Sequence, residues 1–199
     1  MSTQPEYFSN EDHIYWMQFR QGDAAALGAL AQKYYSTLFH YATRFSKESA
    51  FIEDCIQDVL LRLWDRRMYL RETPSVKFYL LKALRHQLVK SLQKKSLENY
   101  SLDEEQINNN EESLESQIIS QEDWQLTSLL LQTHISGLSK RQQEALYLRY
   151  YENLSYEEIG QMMGIAPQSV ANLLQYSLKK LRDCWPIMLW ATFCYLIEF

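Results

Sequence analysis

The sequence predicts an all-α protein of two small helical domains joined by an acidic linker, with a helix-turn-helix in the second domain. Only 5 Gly and 4 Pro occur in 199 residues, whereas residues that favour helices are abundant. A hydrophobic content of 46% is enough for one sizeable core or two small ones. Residues 97–121 are polar and lack a sustained apolar period, so they separate two packed units.

Charge is distributed unevenly along the chain. The net charge is −5, but no Lys or Arg occurs between Ser96 and Ser139, where nine acidic residues lie. Residues 60–95 instead hold ten basic residues against Asp65 and Glu72, so a polyanion is expected to bind there. The predicted organisation is a first domain at 1–96, an acidic linker at 97–127, a second domain at 128–185 and an apolar tail at 186–199.

Three helices are predicted in the first domain. Residues 24–45 and 52–64 carry apolar side chains at helical spacing and so face a core. A third helix is expected to begin at Pro74, with Thr73 as its cap, and to run towards Lys95. These helices complete a unit of three or four. The side chains expected in the core are Leu27, Leu30, Tyr34, Leu38, Tyr41, Ile52, Ile56, Val59, Leu60, Leu63, Phe78, Leu81, Leu84 and Leu88.

Two capping boxes are predicted in the second domain. Ser139 is followed three residues later by Gln142, and Ser155 is followed by Glu158 at the same spacing. In such a box each side chain bonds the backbone N–H of the other residue, which opens a helix. Helices are therefore expected to begin directly after Ser139 and Ser155.

The second of these helices belongs to a predicted helix-turn-helix over residues 156–182. Gly160 is small where two helices would cross, and Gly164 stands where a tight turn needs a positive φ. Pro167 then begins the second helix with its φ already set. An ordinary helical hairpin is the alternative interpretation of the same pattern.

No catalytic residue, metal site, cofactor or small-molecule substrate is predicted. The sequence offers no nucleophile with a base, no glycine-rich phosphate loop and no metal-ligand spacing. Asp54 and Asp58 lie one helical turn apart, but carboxylates in that arrangement are usually surface residues. The scattered histidines are His13, His40, His86 and His134.

A cytoplasmic location is expected. Cys55, Cys184 and Cys194 are odd in number and lack paired spacing, which is typical of a reduced protein. The N-terminus lacks the features of a secretory signal. The apolar tail is too short to cross a bilayer, which needs about 20 residues, so it is expected either to pack on the second domain or to bind a partner.

Two segments carry a family resemblance. Residues 52–64, IEDCIQDVLLRLW, resemble the polymerase-binding helix of the extracytoplasmic-function sigma factors. Residues 154–160, LSYEEIG, followed by Gly164, Ile165 and Val170, resemble the promoter-reading helix-turn-helix of the same family. The likeness covers residues 22–95 and 129–182.

The resemblance implies a non-enzymatic sigma factor that directs transcription initiation. It implies that the first domain docks on the clamp of the largest polymerase subunit and opens the minus-ten element of the promoter. The second domain would read the minus-thirty-five element, beside the flap of the second-largest subunit. Core RNA polymerase, promoter DNA and an anti-sigma factor are the implied partners.

Each role is assigned to residues whose side chains suit it. A mixed polar face is expected to contact core polymerase: Asp54, Gln57, Asp58 and Arg62. Cations and rings are expected to bind minus-ten DNA: Tyr79, Lys82, Arg85, His86, Lys90 and Lys94. Amides, a hydroxyl and one cation are expected to bind minus-thirty-five DNA: Gln168, Ser169, Asn172, Gln175 and Lys179.

The sequence departs from the family pattern at two positions. His86 replaces the usual asparagine, and Ala171 stands where the family commonly has Lys or Arg. Residues 166–176 hold no charged side chain, so phosphate attraction by this helix is expected to be weak. The cations that could compensate from the flanks are Lys140, Arg141, Arg149, Lys179, Lys180 and Arg182.

Two other functions are compatible with these patterns. A helix-turn-helix repressor or activator would bind an operator as a dimer, without polymerase. A sigma-like interaction module would bind polymerase or an anti-sigma factor without reading DNA, which the uncharged helix makes conceivable. Dependence on polymerase, and the appearance of transcripts, separate the three.

Overall fold

A computed structural model describes residues 10–100 and 135–183 of the chain. These residues contain helices and turns and no strand, and the prediction of an all-α fold is confirmed. The chain divides into two compact units, Met1–Gln106 and Ile107–Phe199. No helix among the described residues is long and apolar enough to cross a membrane. Nor do those residues include a group of three His, Cys, Asp or Glu side chains able to hold a metal ion.

The first unit contains four α-helices in its described part. They are α1 (Asn10–Arg20), α2 (Ala24–Ala42), α3 (Ser49–Arg66) and α4 (Val76–Tyr100), with a 3-10 turn at Arg67–Tyr69. The second unit contains α5 (Lys140–Leu146), a π-helical turn (Tyr147–Tyr151), α6 (Tyr156–Met163) and α7 (Pro167–Asp183).

Helix α1 is an addition to the sequence-based expectations. Its Trp16 and Phe19 are fully buried and pack edge to face, with ring centroids 5.5 Å apart. The indole Nε1 of Trp16 donates a hydrogen bond to the carbonyl oxygen of Arg71, 3.1 Å away in the segment between α3 and α4. Asp23 then caps α2 by accepting from the backbone N–H groups of Ala25 and Ala26. The N-terminal helix is therefore part of the first core.

The first core is built largely from the expected stripes. Leu27 and Leu60 are half-buried, but the other predicted positions of α2 and α3 are buried. On α4, Leu80 joins Leu81, Leu84 and Leu88 in the core, while Phe78 is only half-buried. Phe78 was expected to be buried with the core residues of α4, and this expectation is wrong because its side chain is only half-buried. The buried arc of α4 is centred on Leu84, and Phe78 lies at its edge.

The predicted boundaries of all three helices are wrong by a few residues, and α3 spans Ser49–Arg66 rather than residues 52–64. Helix α2 ends at Ala42 rather than residue 45. Helix α4 begins at Val76 rather than Pro74, because Ser75 and not Thr73 caps it: the Ser75 hydroxyl accepts from the N–H of Phe78 at 3.1 Å. Thr73 instead bonds Ser75, accepting from its N–H and donating to its carbonyl.

The local signals of the second unit are confirmed. Ser139 with Gln142 and Ser155 with Glu158 form complete capping boxes at α5 and α6. Gly164 ends α6 with φ 68°, the left-handed conformation that glycine adopts without strain. Pro167 begins α7. Val170 and Leu174 of α7 are buried, so α6 and α7 form the predicted helix-turn-helix.

Gly160 is required where α6 approaches the turn. A Cβ on this residue would lie 2.7 Å from the carbonyl oxygen of Ile165, which belongs to the backbone and has little freedom to move. The predicted need for a small residue at this crossing is confirmed. The predicted linker at 97–127 falls mostly, and the apolar tail at 186–199 wholly, outside the described residues.

Candidate nucleic-acid and protein interfaces

The outward face of α3 carries the four residues assigned to polymerase binding. Asp54, Gln57, Asp58 and Arg62 are all exposed, while Ile52, Ile56, Val59 and Leu63 point into the core. Their spacing of three and four residues places them on one side of the helix. Leu61 lies among them and is 62% exposed, which sequence reasoning did not single out. The face therefore combines charges, an amide and one apolar side chain.

Two of these residues are held by a buried amide on α4. The side chain of Gln87 is buried, and its Nε2 donates to Oδ2 of Asp58 at 2.7 Å. Its Oε1 accepts a hydrogen bond from Nη1 of Arg62. Nearby, burial raises the pKa of the Cys55 thiol, which favours its neutral form. Sequence reasoning missed Gln87, because its role depends on how α3 packs against α4.

The exposed side of α4 carries a row of basic residues. Lys82, His86, Lys90 and Lys94 are exposed and follow one another at intervals of four residues, so they share a face. Arg85 is half-buried beside them. Phosphate groups of nucleic acid are bound by cations in such a row.

The aromatic residues near this face already contact other side chains of the first unit. Tyr79 is half-buried against Trp16, with ring centroids 5.1 Å apart, and burial raises the pKa of its hydroxyl. Phe78 is half-buried beneath the ammonium of Lys82, which lies 5.5 Å from its ring centroid. Tyr79 presents only part of its ring to the surface.

The turn between α3 and α4 exposes two apolar side chains that sequence reasoning missed. Met68 is 72% exposed and Tyr69 is 86% exposed. The arginines on either side could have directed attention to them: Arg66, Arg67 and Arg71. Arg67 itself packs over the ring of Trp64, 4.3 Å from its centroid. An exposed tyrosine among cations is suited to stack on an unpaired base.

The outward face of α7 is polar and mostly uncharged. Gln168, Asn172, Gln175 and Lys179 are exposed on one side, and the amide of Gln168 donates to Asn172 at 3.1 Å. Ser169 is also exposed but points about a quarter turn away. Tyr176 lies two turns after Ser169, on the same side as that serine, and is 66% exposed, which sequence reasoning missed. Such a face offers hydrogen bonds rather than charge.

Two of the flanking cations form hydrogen bonds to backbone carbonyl groups of the second unit. Nζ of Lys180 donates to the carbonyl of Gly137 at 2.6 Å, and Nη1 of Arg149 donates to the carbonyl of Leu154 at 2.8 Å. The Arg149 guanidinium also lies 5.1 Å from the ring centroid of Tyr156. These bonds restrict where the two cations can reach, but they leave the positive charge in place because a carbonyl oxygen is neutral.

Comparison with known families gives two matches. Residues 30–98 match the family described as sigma-70 region 2, and residues 128–181 match sigma-70 region 4. The two matches together span more than half of the chain. A protein named ECF RNA polymerase sigma factor SigL, from Mycobacterium tuberculosis H37Rv, is 25% identical over 161 residues, which cover 80% of this chain and 89% of that protein.

Two solved structures share the fold. The sigma factor RpoE of Bartonella quintana, in complex with the anti-sigma factor NepR, has a TM-score of 0.58 at 19% identity, covering 79% of this chain and 94% of that one. CnrH, in complex with the cytosolic domain of CnrY, has a TM-score of 0.57 at 15% identity, covering 89% of this chain and 98% of that one.

Proposed function

The chain belongs to the sigma-70 family, in its extracytoplasmic-function class, and from this premise we propose how its two units divide the work of promoter recognition. It is a sigma factor that directs transcription initiation, and its family consists of non-enzymatic initiation factors. We assign core-polymerase binding and minus-ten recognition to residues 1–96 and minus-thirty-five recognition to residues 128–185. Residues 97–127 would link the two, and residues 186–199 would form a separate tail.

Core polymerase is proposed to bind the outward face of α3. The carrying observation is that Asp54, Gln57, Asp58 and Arg62 are exposed together on the helix whose sequence matches the family. Leu61 adds an apolar contact of the kind found at the centre of protein interfaces. The proposed contacts are the clamp of the largest subunit for this face and the flap of the second-largest subunit for the second unit.

Minus-ten DNA is proposed to lie along the exposed side of α4. Lys82, His86, Lys90 and Lys94 would follow the phosphates, with Arg85 beside them. Opening a duplex costs a few kcal/mol of lost stacking and pairing, and a protein surface that holds an unpaired base offsets part of it. Tyr69, in the turn before α4, is 86% exposed and would supply that surface together with Tyr79.

Minus-thirty-five DNA is proposed to lie against α7. Asn and Gln can pair with two atoms of adenine, and Ser can serve either partner. Gln168, Asn172, Gln175 and Ser169 would therefore read base edges, and Lys179 would contact a phosphate. Tyr176 joins this set because it is exposed on the same side as Ser169.

An anti-sigma factor is proposed as the regulatory partner, and the cytoplasm as the location. The structural neighbour RpoE was solved as a sigma factor in complex with the anti-sigma factor NepR, and CnrH was solved in complex with the cytosolic domain of CnrY. The apolar tail at 186–199 could bind such a partner or the second unit.

Run-off transcription with purified core polymerase tests the proposal. Fragmented genomic DNA from the host would be transcribed with and without the protein, and the start sites aligned. New discrete starts with two shared upstream elements are expected. Polymerase binding without transcripts would instead support the interaction module. Binding of duplex DNA without polymerase would support an operator-binding regulator.

A further inference from the structure

A buried amide links the two interface helices of the first unit. Gln87 of α4 is 3% exposed, yet it bonds two side chains of the exposed α3 face, Asp58 and Arg62. We propose that Gln87 is a positioning residue, which fixes Asp58 and Arg62 in the orientation that core polymerase binds. This inference rests on the proposed polymerase-binding role of α3.

The chemistry of the site calls for an amide. Gln87 accepts from the cation Arg62 through Oε1 and donates to the anion Asp58 through Nε2. The same Nε2 also donates to Oγ of Ser91, 3.2 Å away and one turn further along α4. A carboxylate could accept from Arg62 but could not donate to Asp58, and an ammonium could only donate. Both charged residues can thus be held by one neutral side chain.

Prior ordering of the two charged side chains should strengthen binding. A long exposed side chain loses rotational freedom when a partner fixes it, which lowers affinity by roughly two- to tenfold for each side chain. Gln87 removes part of this cost because it holds Asp58 and Arg62 before the partner arrives. Hydrogen bonds that are partly shielded from water are also electrostatically stronger than those made in water.

The sharpest variant is Gln87→Leu. Leucine fills a similar volume without polar atoms, and Asp58 and Arg62 remain at the exposed surface, where water solvates them. Removing one partner of a hydrogen bond is costly when the other is left buried and unsatisfied, and that cost is avoided where water solvates the remaining group. We therefore expect an unchanged melting temperature and an affinity for core polymerase that falls about tenfold.

A second variant separates the two bonds. Gln87→Glu keeps the acceptor for Arg62, but it loses the donor to Asp58 and places two carboxylates together. It should weaken polymerase binding at least as much as Gln87→Leu. In a protein that also carries Asp58→Ala and Arg62→Ala, Gln87→Leu should have no further effect, because its two targets are gone.

The measurement is a titration of the full-length labelled protein with core polymerase, well below the melting temperature. Leu88→Ala is the matched control: it is the buried neighbour on α4, it destabilises the core, and it should leave polymerase affinity unchanged. Equal affinity of Gln87→Leu and wild type would overturn the inference. The inference would also be overturned if Leu88→Ala lowered the affinity for core polymerase as much as Gln87→Leu does. A third contrary result would be that Gln87→Leu still lowers this affinity about tenfold in the protein that also carries Asp58→Ala and Arg62→Ala.

Failure of the underlying assignment has a different signature. If wild type binds core polymerase but Asp58→Ala and Arg62→Ala bind equally well, then the α3 assignment fails and the inference fails with it. If those two variants bind weakly and Gln87→Leu binds normally, only the role of Gln87 is refuted.

Discussion

Helices α4 and α7 are the two proposed DNA-facing helices, and their outward faces differ in chemistry. Helix α4 presents Lys82, His86, Lys90 and Lys94, whereas α7 presents amides and a tyrosine before its first cation at Lys179. Phosphate contacts supply affinity without sequence information, and contacts to base edges supply sequence information. Under the proposed assignments, most of the attraction to phosphates comes from α4, and most of the hydrogen bonds to base edges come from α7.

Removing two cations of α4 should have the largest effect. Lys82→Ala combined with Lys90→Ala is expected to lower promoter binding by the polymerase complex about a hundredfold at moderate salt. The slope of log affinity against log salt should also fall by about 1.8, since each duplex phosphate contact contributes about 0.9. Binding to a promoter fragment at several salt concentrations measures both.

Lys95→Ala is the control for that pair. Lys95 lies on the opposite side of α4, where its Nζ is 2.7 Å from the carboxylate of Glu48 on the N-terminal side of α3. Its removal should leave the salt slope unchanged. An equal loss for Lys95→Ala would mean that overall charge matters, and not the row on the exposed face.

A pair of glycine substitutions tests whether the two units depend differently on close packing. Gly160→Ala should destabilise the second unit by about 1–3 kcal/mol, because the new methyl group meets the Ile165 carbonyl oxygen. A Cβ added at Gly28 on α2 would have no atom within 4 Å. Gly28→Ala should therefore stabilise the first unit by about 0.5–1 kcal/mol, because alanine loses less conformational entropy in a helix than glycine does. Thermal unfolding followed by circular dichroism compares the two, and similar shifts of the same sign would contradict the packing argument.

Asn172→Ala should reduce the preference for the native promoter sequence more than the general affinity for DNA. The loss of one base contact is expected to lower affinity for the native promoter about tenfold, with little change on a promoter with a scrambled minus-thirty-five element. The salt slope should stay constant, unlike that of the α4 variant. An equal loss on both promoters would indicate that α7 acts without reading sequence.

Adding a cation to α7 should have the smallest effect and would make the two helices more alike. Ala171→Lys is expected to raise affinity about threefold and to steepen the salt slope by about 0.9, because it supplies one phosphate contact. Competition between native and scrambled promoters measures whether selectivity changes, and we expect that it does not. Unchanged affinity and slope would show that phosphates do not approach this side of α7.

Local chemistry made the second unit the more predictable of the two. The capping serines and Gly164 act through backbone groups within a few residues, so their spacing alone indicates the structure. In the first unit, both Thr73 and Ser75 are able to cap α4, and the sequence gives no reason to prefer Ser75. The predicted start was therefore two residues early.

Tertiary contacts account for what the sequence did not reveal about the candidate site. The half-burial of Tyr79 depends on Trp16, which lies on a helix that was not predicted. The bonds of Gln87 span about 25 to 29 positions along the chain and appear only once α3 lies beside α4. Helical periodicity was enough to predict which residues of the polar faces are exposed. It could not predict the residues from other helices that contact them.

The hydrogen bond from Trp16 to Arg71 makes the N-terminal helix a brace for the turn that carries Met68 and Tyr69. The family match begins only at residue 30, yet this brace lies before it. A first unit shortened to that match would keep the proposed polymerase-binding and minus-ten residues and lose the support behind the turn. The residues that match the family and the residues that support the first unit's fold therefore have different limits in this protein.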